Sequence, residues 1–509
     1  MKKIITSLFL GAVLIANTST AVFAATDYRE AVIEAEKTVE SNRSTIFDAS
    51  QSFLPDPNKE YTYQWDFGDG NKNEGVEVLH AYKTPGNYTV KLTIDDGFTK
   101  TKSEIQVFAY KKLITLITDN SDAKELIEII RNRAEKNGIF IKIIESFGSS
   151  TEFISEEVLT KKLTEESPNI QKSAQIMIWT KENAGLNALS RFIQSNQKKQ
   201  ISNFSQKSII VIDKSPESSS SRIERQFKII KPKNIITTTE AGAYEAVETI
   251  DDNELLNSLE EKGHKYAIIN EKTGKLRPWN FMSHFVNTLV NNGIPDNTIA
   301  LLLLLPIIAT VVAFMKQVVG ATTFGIYTPS IITLSFLVIG MHAGLLTLIV
   351  AILVGAAVRP VLKKVHMLFI PKMAIVITLV SLTLFLILIA TSALGLFNSE
   401  FLSIAIFPML ILSTLVEKFV SVKSTKGLSS AAALMASTII VAIVAYFVVG
   451  GEIELGFTNF NFPWVKSIIM SYPELVFLLI PFNIALGKWT GLRVIERIRF
   501  REIFRHIEE

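Results

Sequence analysis

The sequence predicts a multi-domain membrane protein: a β-sandwich, then a three-layer α/β domain with a parallel sheet, then an all-α bundle of seven membrane helices. Three observations predict it. Charge is uneven, since Met1 to Val290 hold 37 Lys/Arg and 39 Asp/Glu while Asn291 to Glu509 hold 15 and 10; one water-soluble globule would spread its charge. Within the polar part, apolar residues first alternate with a period of two and then form short runs separated by helical stretches. The second part carries seven apolar stretches near the length of a membrane span. The net charge of +3 is too small to argue for nucleic acid. With zero cysteines, a disulfide scaffold, a Cys zinc site, an iron-sulfur cluster and a Cys nucleophile are excluded.

Residues 1–24 read as a signal peptide. Lys2 and Lys3 precede an apolar run from Ile4 to Ala16, and Val22, Phe23, Ala24 suit cleavage before Ala25. An uncleaved anchor is the alternative, and it leaves the following domain on the same side of the membrane.

Residues 25–110 read as the sandwich. Tyr88, Val90, Leu92 and Ile94 alternate with Thr89, Lys91 and Thr93, so one strand face is buried. Upstream, YTYQWDFGDG is a strand ending at Gly68, Asp69 and Gly70, where glycine supplies the positive φ of a tight turn. Trp65 and Phe67 stand two apart and face one layer. These residues, with Phe47 to Ser50, Trp65, Asp66, Phe67, Gly68, Asp69, Gly70, His80, Tyr82, Gly86 and Tyr88, resemble the PKD domain, an immunoglobulin-like sandwich. The resemblance implies an extracellular spacer or adhesive module without catalysis. Asp66 and Asp69 are expected to bond their own turn backbone rather than calcium, and His80 to be a structural hydrogen-bonding residue.

Residues 111–275 alternate strands with helices. Leu113 to Thr118 is a short apolar run; Leu126, Ile127, Ile129 and Ile130 then make one helical face that Gly138 ends. Further runs at Phe140 to Ile144, Gln175 to Trp179, Ser208 to Ile212, Ile235 to Thr239 and Tyr266 to Ile269 indicate βαβ units. Ligands in such folds sit at the carboxyl ends of strands, where Asp119, Asn120, Asp122, Thr180 and Asp213 fall. No phosphate-cradling Gly-rich motif occurs, Thr180 stands where a receiver-like acceptor Asp would be, and Asp119 is expected to be a helix cap or a turn residue.

Residues 276–297 are expected to link to the membrane domain, residues 298–487. Its stretches are Ile299 to Phe314, Phe324 to Ile339, Ala343 to Val358, Ala374 to Leu396, Phe401 to Val416, Leu428 to Val449 and Ile468 to Leu486, with a bend at Gly340, Met341 and His342. In the last, Ser471 and Glu474 fit a capping box, leaving Trp464 to Met470 as an interfacial segment. With the N-terminal domains outside, the inner segments hold 14 Lys/Arg and the outer connections none, Lys466 lying just beyond them. The positive-inside rule then orients every loop, with the C-terminus cytoplasmic in a bacterial plasma membrane.

FGIYTPSII from Phe324, RPVLKKVHMLFIPKMAIVITLV from Arg359, LVEKF from Leu415 and GKWTGLRVIERIRFREIF from Gly487 resemble the seven-helix membrane domain that bacteria usually fuse to an inactive transglutaminase-like domain. The resemblance implies a non-enzymatic inner-membrane component associated with ATP-grasp ligase-like and retropepsin-like cytoplasmic proteins. This chain departs from the usual pattern by carrying two other domains in place of the transglutaminase-like one.

Arg359, Glu417 and Lys418 fall at the inner ends of spans, where snorkelling to headgroups is one reading and a pair of Glu417 with Arg359 or with a tail arginine, closing a cytoplasmic vestibule, the sharper one. Residues 488–509 form a basic amphipathic tail, with Arg493, Arg497, Arg501 and Arg505 recurring every four residues, suited to anionic lipid or a cytoplasmic partner. No paired carboxylates, metal cluster or nucleophile with a base emerges, and the six histidines form no HxxxH or HExxH motif; no enzyme, cofactor or metal site is expected. The favoured function is a sensor or scaffold whose outer domains bind an envelope polymer or protein ligand and whose helices pass that state to a cytoplasmic partner. A transporter with the ectodomain as substrate collector is the alternative.

Overall fold

The computed structural model describes residues 29–55, 59–149, 151–196, 204–213, 220–249, 251–270, 281–363, 368–393, 411, 415–423, 425–451, 453–455, 458–460, 463–489, 491 and 493–499. The expected signal peptide and the residues beyond Arg499 lie outside them. The chain divides at Lys111 into two compact units.

The first unit is the sandwich. Its strands are β1 (Thr38–Glu40), β2 (Thr45–Asp48), β3 (Thr62–Asp66), β4 (Lys72–Glu74), β5 (Glu77–His80), β6 (Gly86–Asp95) and β7 (Lys100–Tyr110). One sheet has the order β1-β7-β6-β3-β4 and the other pairs β2 with β5. Period-two alternation puts Val90, Leu92 and Ile94 of β6 into the core with Phe47, Trp65, Phe67 and Tyr82.

The second unit begins with a six-stranded sheet. Chain order is β8 (Lys112–Thr118), α1 (Lys124–Lys136), β9 (Ile139–Glu145), α2 (Glu152–Glu165), α3 (Ser167–Lys172), β10 (Gln175–Trp179), α4 (Ala184–Asn196), β11 (Ser208–Ile212), α5 (Ser220–Ile230), β12 (Asn234–Thr238), α6 (Glu240–Glu248), α7 (Asp252–Glu261) and β13 (Tyr266–Ile269). The sheet order is β13-β12-β11-β10-β8-β9, and separate apolar clusters cover its two faces. Residues of β8, β10 and β11 are buried throughout, as strands covered on both faces must be. All pairs are parallel except β12 with β13, which is antiparallel. The expected parallel sheet is corrected there: two successive helices, α6 and α7, return the chain to the end where β12 finishes, so β13 runs the other way.

The segment expected as a linker holds a helix, α8 (Phe281–Asn291). Its Val286 and Val290 are buried in the cluster of the membrane helices, so apolar residues at helical spacing make it part of the packing. There follow α9 (Asp296–Phe314), α10 (Tyr327–Ile339), α11 (Met341–Lys363), α12 (Phe369–Ala393), α13 (Leu428–Val448), α14 (Pro463–Ser471), α15 (Leu479–Gly487) and α16 (Val494–Arg499). A small hairpin, Ile453–Leu455 with Thr458–Phe460, precedes α14. Gly340, at φ +87°, makes the expected bend between α10 and α11. Among the described residues three helices are long and apolar enough to cross a membrane, and a fourth if the pair α14 and Pro473–Gly487, bent by 110°, is one span. The stretch expected at Phe401 to Val416 falls mostly outside the described residues. The capping box at Ser471 does not form: the 3-10 turn at Pro473 has no side-chain cap, and Glu474 Oε1 instead accepts the Ser283 N–H of α8 at 3.1 Å, a first-turn donor that has no partner in its own helix.

Candidate functional site

β8 is the first strand of its sheet, with β9 on one side and β10 on the other. The connection from β8 runs to β9 on one side and that from β10 to β11 on the other, so the carboxyl ends of β8 and β10 open a crevice where α/β sheets bind ligands. Asp119 follows β8. Of the two roles expected of it, helix cap or turn residue, the cap falls to Asn120, which caps the short turn at Ser121 by accepting from the Asp122 N–H. Asp119 bridges the crevice instead, its Oδ1 accepting the Lys181 N–H at 2.8 Å and its Oδ2 the Ser155 hydroxyl at 2.9 Å. Burial pushes this carboxyl above its ordinary value, against the pull of those two donors.

Above the crevice lies a cavity of about 350 Å³. Its sheet-side wall includes Asp119, Glu152 and Glu182; its other wall is made by the ends of membrane helices, including Leu337, Tyr446 and Lys466. Lys466 of α14 is nearly enclosed, and its Nζ bonds the carboxylate of Glu152 and, at 3.3 Å, that of Glu182. A cation enclosed against apolar surface requires such partners, which explains the one lysine at the edge of connections that hold no Lys or Arg of their own. Burial pushes Glu152 up, while Lys466 draws it back down.

Three further polar ties join the α/β domain to the same ends of the helices. Arg225 of α5 pairs with Asp296 at the start of α9, Nη1 to Oδ1 2.8 Å, and its Nη2 donates to the Met470 carbonyl at 2.9 Å. Thr151 Oγ1, which caps α2 by accepting from Ile154, donates to the Val338 carbonyl at the end of α10, 2.7 Å away. Glu156, 1% exposed, accepts from Arg191 at 3.1 Å, from Asn187 at 3.4 Å and from Asn297 of α9. Burial pushes its carboxyl up to about 7, opposed by Arg191.

The residues singled out from the sequence lie elsewhere. In the sandwich, Asp66 Oδ1 accepts the Gly68 N–H and Asp69 Oδ1 the Asn71 N–H, the turn bonding expected of them. His80 bonds Asp69 at 2.9 Å and stacks on Phe67; Tyr82 donates to the Phe67 carbonyl and stacks on Tyr88; Trp65 donates to the Gly75 carbonyl at 2.9 Å. Gly86 opens β6. Gly68 is fixed twice, by φ +77° and by a Thr89 carbonyl oxygen 2.8 Å from where a Cβ would stand. At the other end of the helices, Lys418 donates to Thr328 Oγ1 at 2.8 Å and Glu417 is exposed; the side chains of Arg359 and Arg497, with Arg501 and Arg505, lie outside the described residues. Arg493 faces Glu496 at 3.9 Å and packs beside Gly320.

Residues 30–109 match the PKD domain, and residues 252–504 match a domain described as seven transmembrane helices usually fused to an inactive transglutaminase. The second match takes in α7 and β13 as well as the helices. Over 113 residues, 22% of its length, the chain is 32% identical to Collagenase ColA of Clostridium perfringens (strain 13 / Type A). That match spans 9% of the collagenase, under a tenth of the relative's length. The chain is thus a membrane protein that joins a PKD domain, through an α/β region, to a seven-transmembrane domain of the family usually fused to an inactive transglutaminase.

Proposed function

We propose that this protein is a non-enzymatic sensor or scaffold of the bacterial plasma membrane. Its outer PKD and α/β domains engage an envelope polymer or protein ligand, and its helices pass that state to a cytoplasmic partner. The observation that carries this reading is the enclosed ion network, Lys466 between Glu152 and Glu182 with Arg225 on Asp296, which ties the ligand-binding edge of an α/β sheet to the ends of the helices. A change at that edge moves charges that the helix ends must compensate, so binding and helix position share one free energy. The cytoplasmic partner is an ATP-grasp-like or retropepsin-like protein, and the basic tail from Lys488 rests on anionic lipid. The orientation follows from the 14 inner Lys/Arg.

Two experiments test this. Single cysteines at Ser399 and Ser424 are expected to label from opposite sides of the membrane; labelling from the same side refutes the topology. Affinity purification from detergent-solubilised membranes is expected to recover the partner with the natural chain and less of it with Arg225→Gln; equal recovery refutes coupling through the network. The transporter reading draws on a different observation, the short α10 with buried Thr328, Ser330 and Thr333 and the 110° break after α14, since broken helices frame transporter sites. Solute flux in proteoliposomes would place that reading first.

A further inference from the structure

Helix α8 has two apolar faces. Val286 and Val290 are buried against the membrane helices, while Phe281, Phe285 and Leu289, spaced by four residues on one stripe, are 52%, 60% and 39% exposed. The helix is firmly held: Glu474 accepts its Ser283 N–H, Gln194 Nε2 of α4 donates to its Val290 carbonyl at 2.7 Å, and the Phe281 ring lies 5.8 Å from that of Phe477. Through that ring contact the exposed stripe runs on into the outward surface of the last bent pair, where Phe477, Leu478, Ile480 and Ile484 are 46–62% exposed. The outward side chains of α9, Leu302 and Leu305, are exposed and apolar as well. At 11 residues, α8 is roughly 16 Å long, too short to span a bilayer.

We propose that α8 is an interfacial membrane helix. It lies along the bilayer surface on the side that carries the α/β domain, with Phe281, Phe285 and Leu289 in the boundary between headgroups and acyl chains. Lipid is the occupant because the stripe continues the apolar surface that the membrane-spanning helices present to lipid, and because a helix with one protein-bound face and one open apolar face meets the bilayer where the adjoining spans enter it. The Gln194 and Glu474 bonds then make α8 the element through which the bilayer surface bears on both the α/β domain and the last span.

The native absence of cysteine permits a direct test. Nitroxide labels are placed singly by Phe281→Cys, Phe285→Cys and Leu289→Cys in the full chain, reconstituted in vesicles of neutral and anionic phospholipid. Leu478→Cys serves as the bilayer-facing reference and Asn292→Cys as the water-facing one. The expected result is several-fold greater accessibility to oxygen than to a water-soluble nickel chelate at all three positions, as at Leu478. Chelate accessibility equal to that at Asn292 overturns the proposal. Exclusion of both reagents also overturns it, and dipolar broadening between labels would then assign the stripe to a second copy of the chain. All three side chains are exposed, so these substitutions leave the buried face of α8 intact.

Discussion

Lys466→Met puts the central ion network to the test. The methionine fills similar volume but leaves Glu152 and Glu182, whose side chains are 13% and 23% exposed, without the ammonium between them. Removing one partner of a buried pair costs about 3–5 kcal/mol. At about 1.4 kcal/mol per factor of ten, the docked state loses at least about 100-fold in population relative to an undocked one. Amide hydrogen exchange of the full chain in proteoliposomes reads this locally, in the first turn of α2 and at Gly340 to Ala343. Exchange there is expected to speed by about that factor while the β6 and β7 amides of the sandwich stay unchanged. Glu152→Gln added to Lys466→Met is expected to recover part of the protection, because an amide costs less to enclose than an unpaired carboxylate. The defect is also expected to shrink as pH falls, since protonation of the stranded carboxyl substitutes for the lost lysine. Unchanged protection in the single variant, or a double variant worse than the single, refutes the reasoning.

Other outcomes follow from single contacts. Glu156 goes from an ordinary 4.5 to about 7 on folding, so the folded state binds its proton more tightly. Its contribution to stability is full below about pH 4.5 and is lost as pH rises toward 7, by at most about 3 kcal/mol; thermal melting of the α/β region between pH 5 and 8 should show that slope, and Glu156→Gln should flatten it. Thr151→Ala removes the cap of α2 and the bond to the Val338 carbonyl, costing about 1–2 kcal/mol, read as faster exchange at Ile154 and Ser155. Gly68→Ala meets both a positive φ and the Thr89 carbonyl, and is expected to lower the stability of the sandwich by about 1–3 kcal/mol, measured as a lower first transition in calorimetry of the full chain.

The parts legible in the sequence are those that local periodicity encodes. The runs Gln175 to Trp179 and Ser208 to Ile212 are strands over those residues, and the alternation from Val90 to Ile94 is a half-buried strand, because side-chain direction repeats every two residues whatever the strand pairs with. Turn chemistry was as plain: Asp66 and Gly68 announce their turn by residue type. Helix α8 is not legible in the sequence because a short helix beside polar residues reads as a connection until its buried partners are known, and the capping signature at Ser471 does not form because Glu474 finds a donor in α8.

The sequence alone determined the order of a PKD sandwich, a strand-helix region and a set of apolar helices, since each follows from residue periodicity and composition within one segment. The tertiary structure alone decided the reversal of β13, the break after α14 and the candidate site itself. Lys466 and Glu152 stand 314 positions apart, and Arg225 lies 71 from Asp296. Each of these charges, read in its own segment, is an ordinary surface residue. Only packing the sheet edge onto the helix ends removes water from them, and that loss of solvent turns scattered charges into a network in which each requires the others.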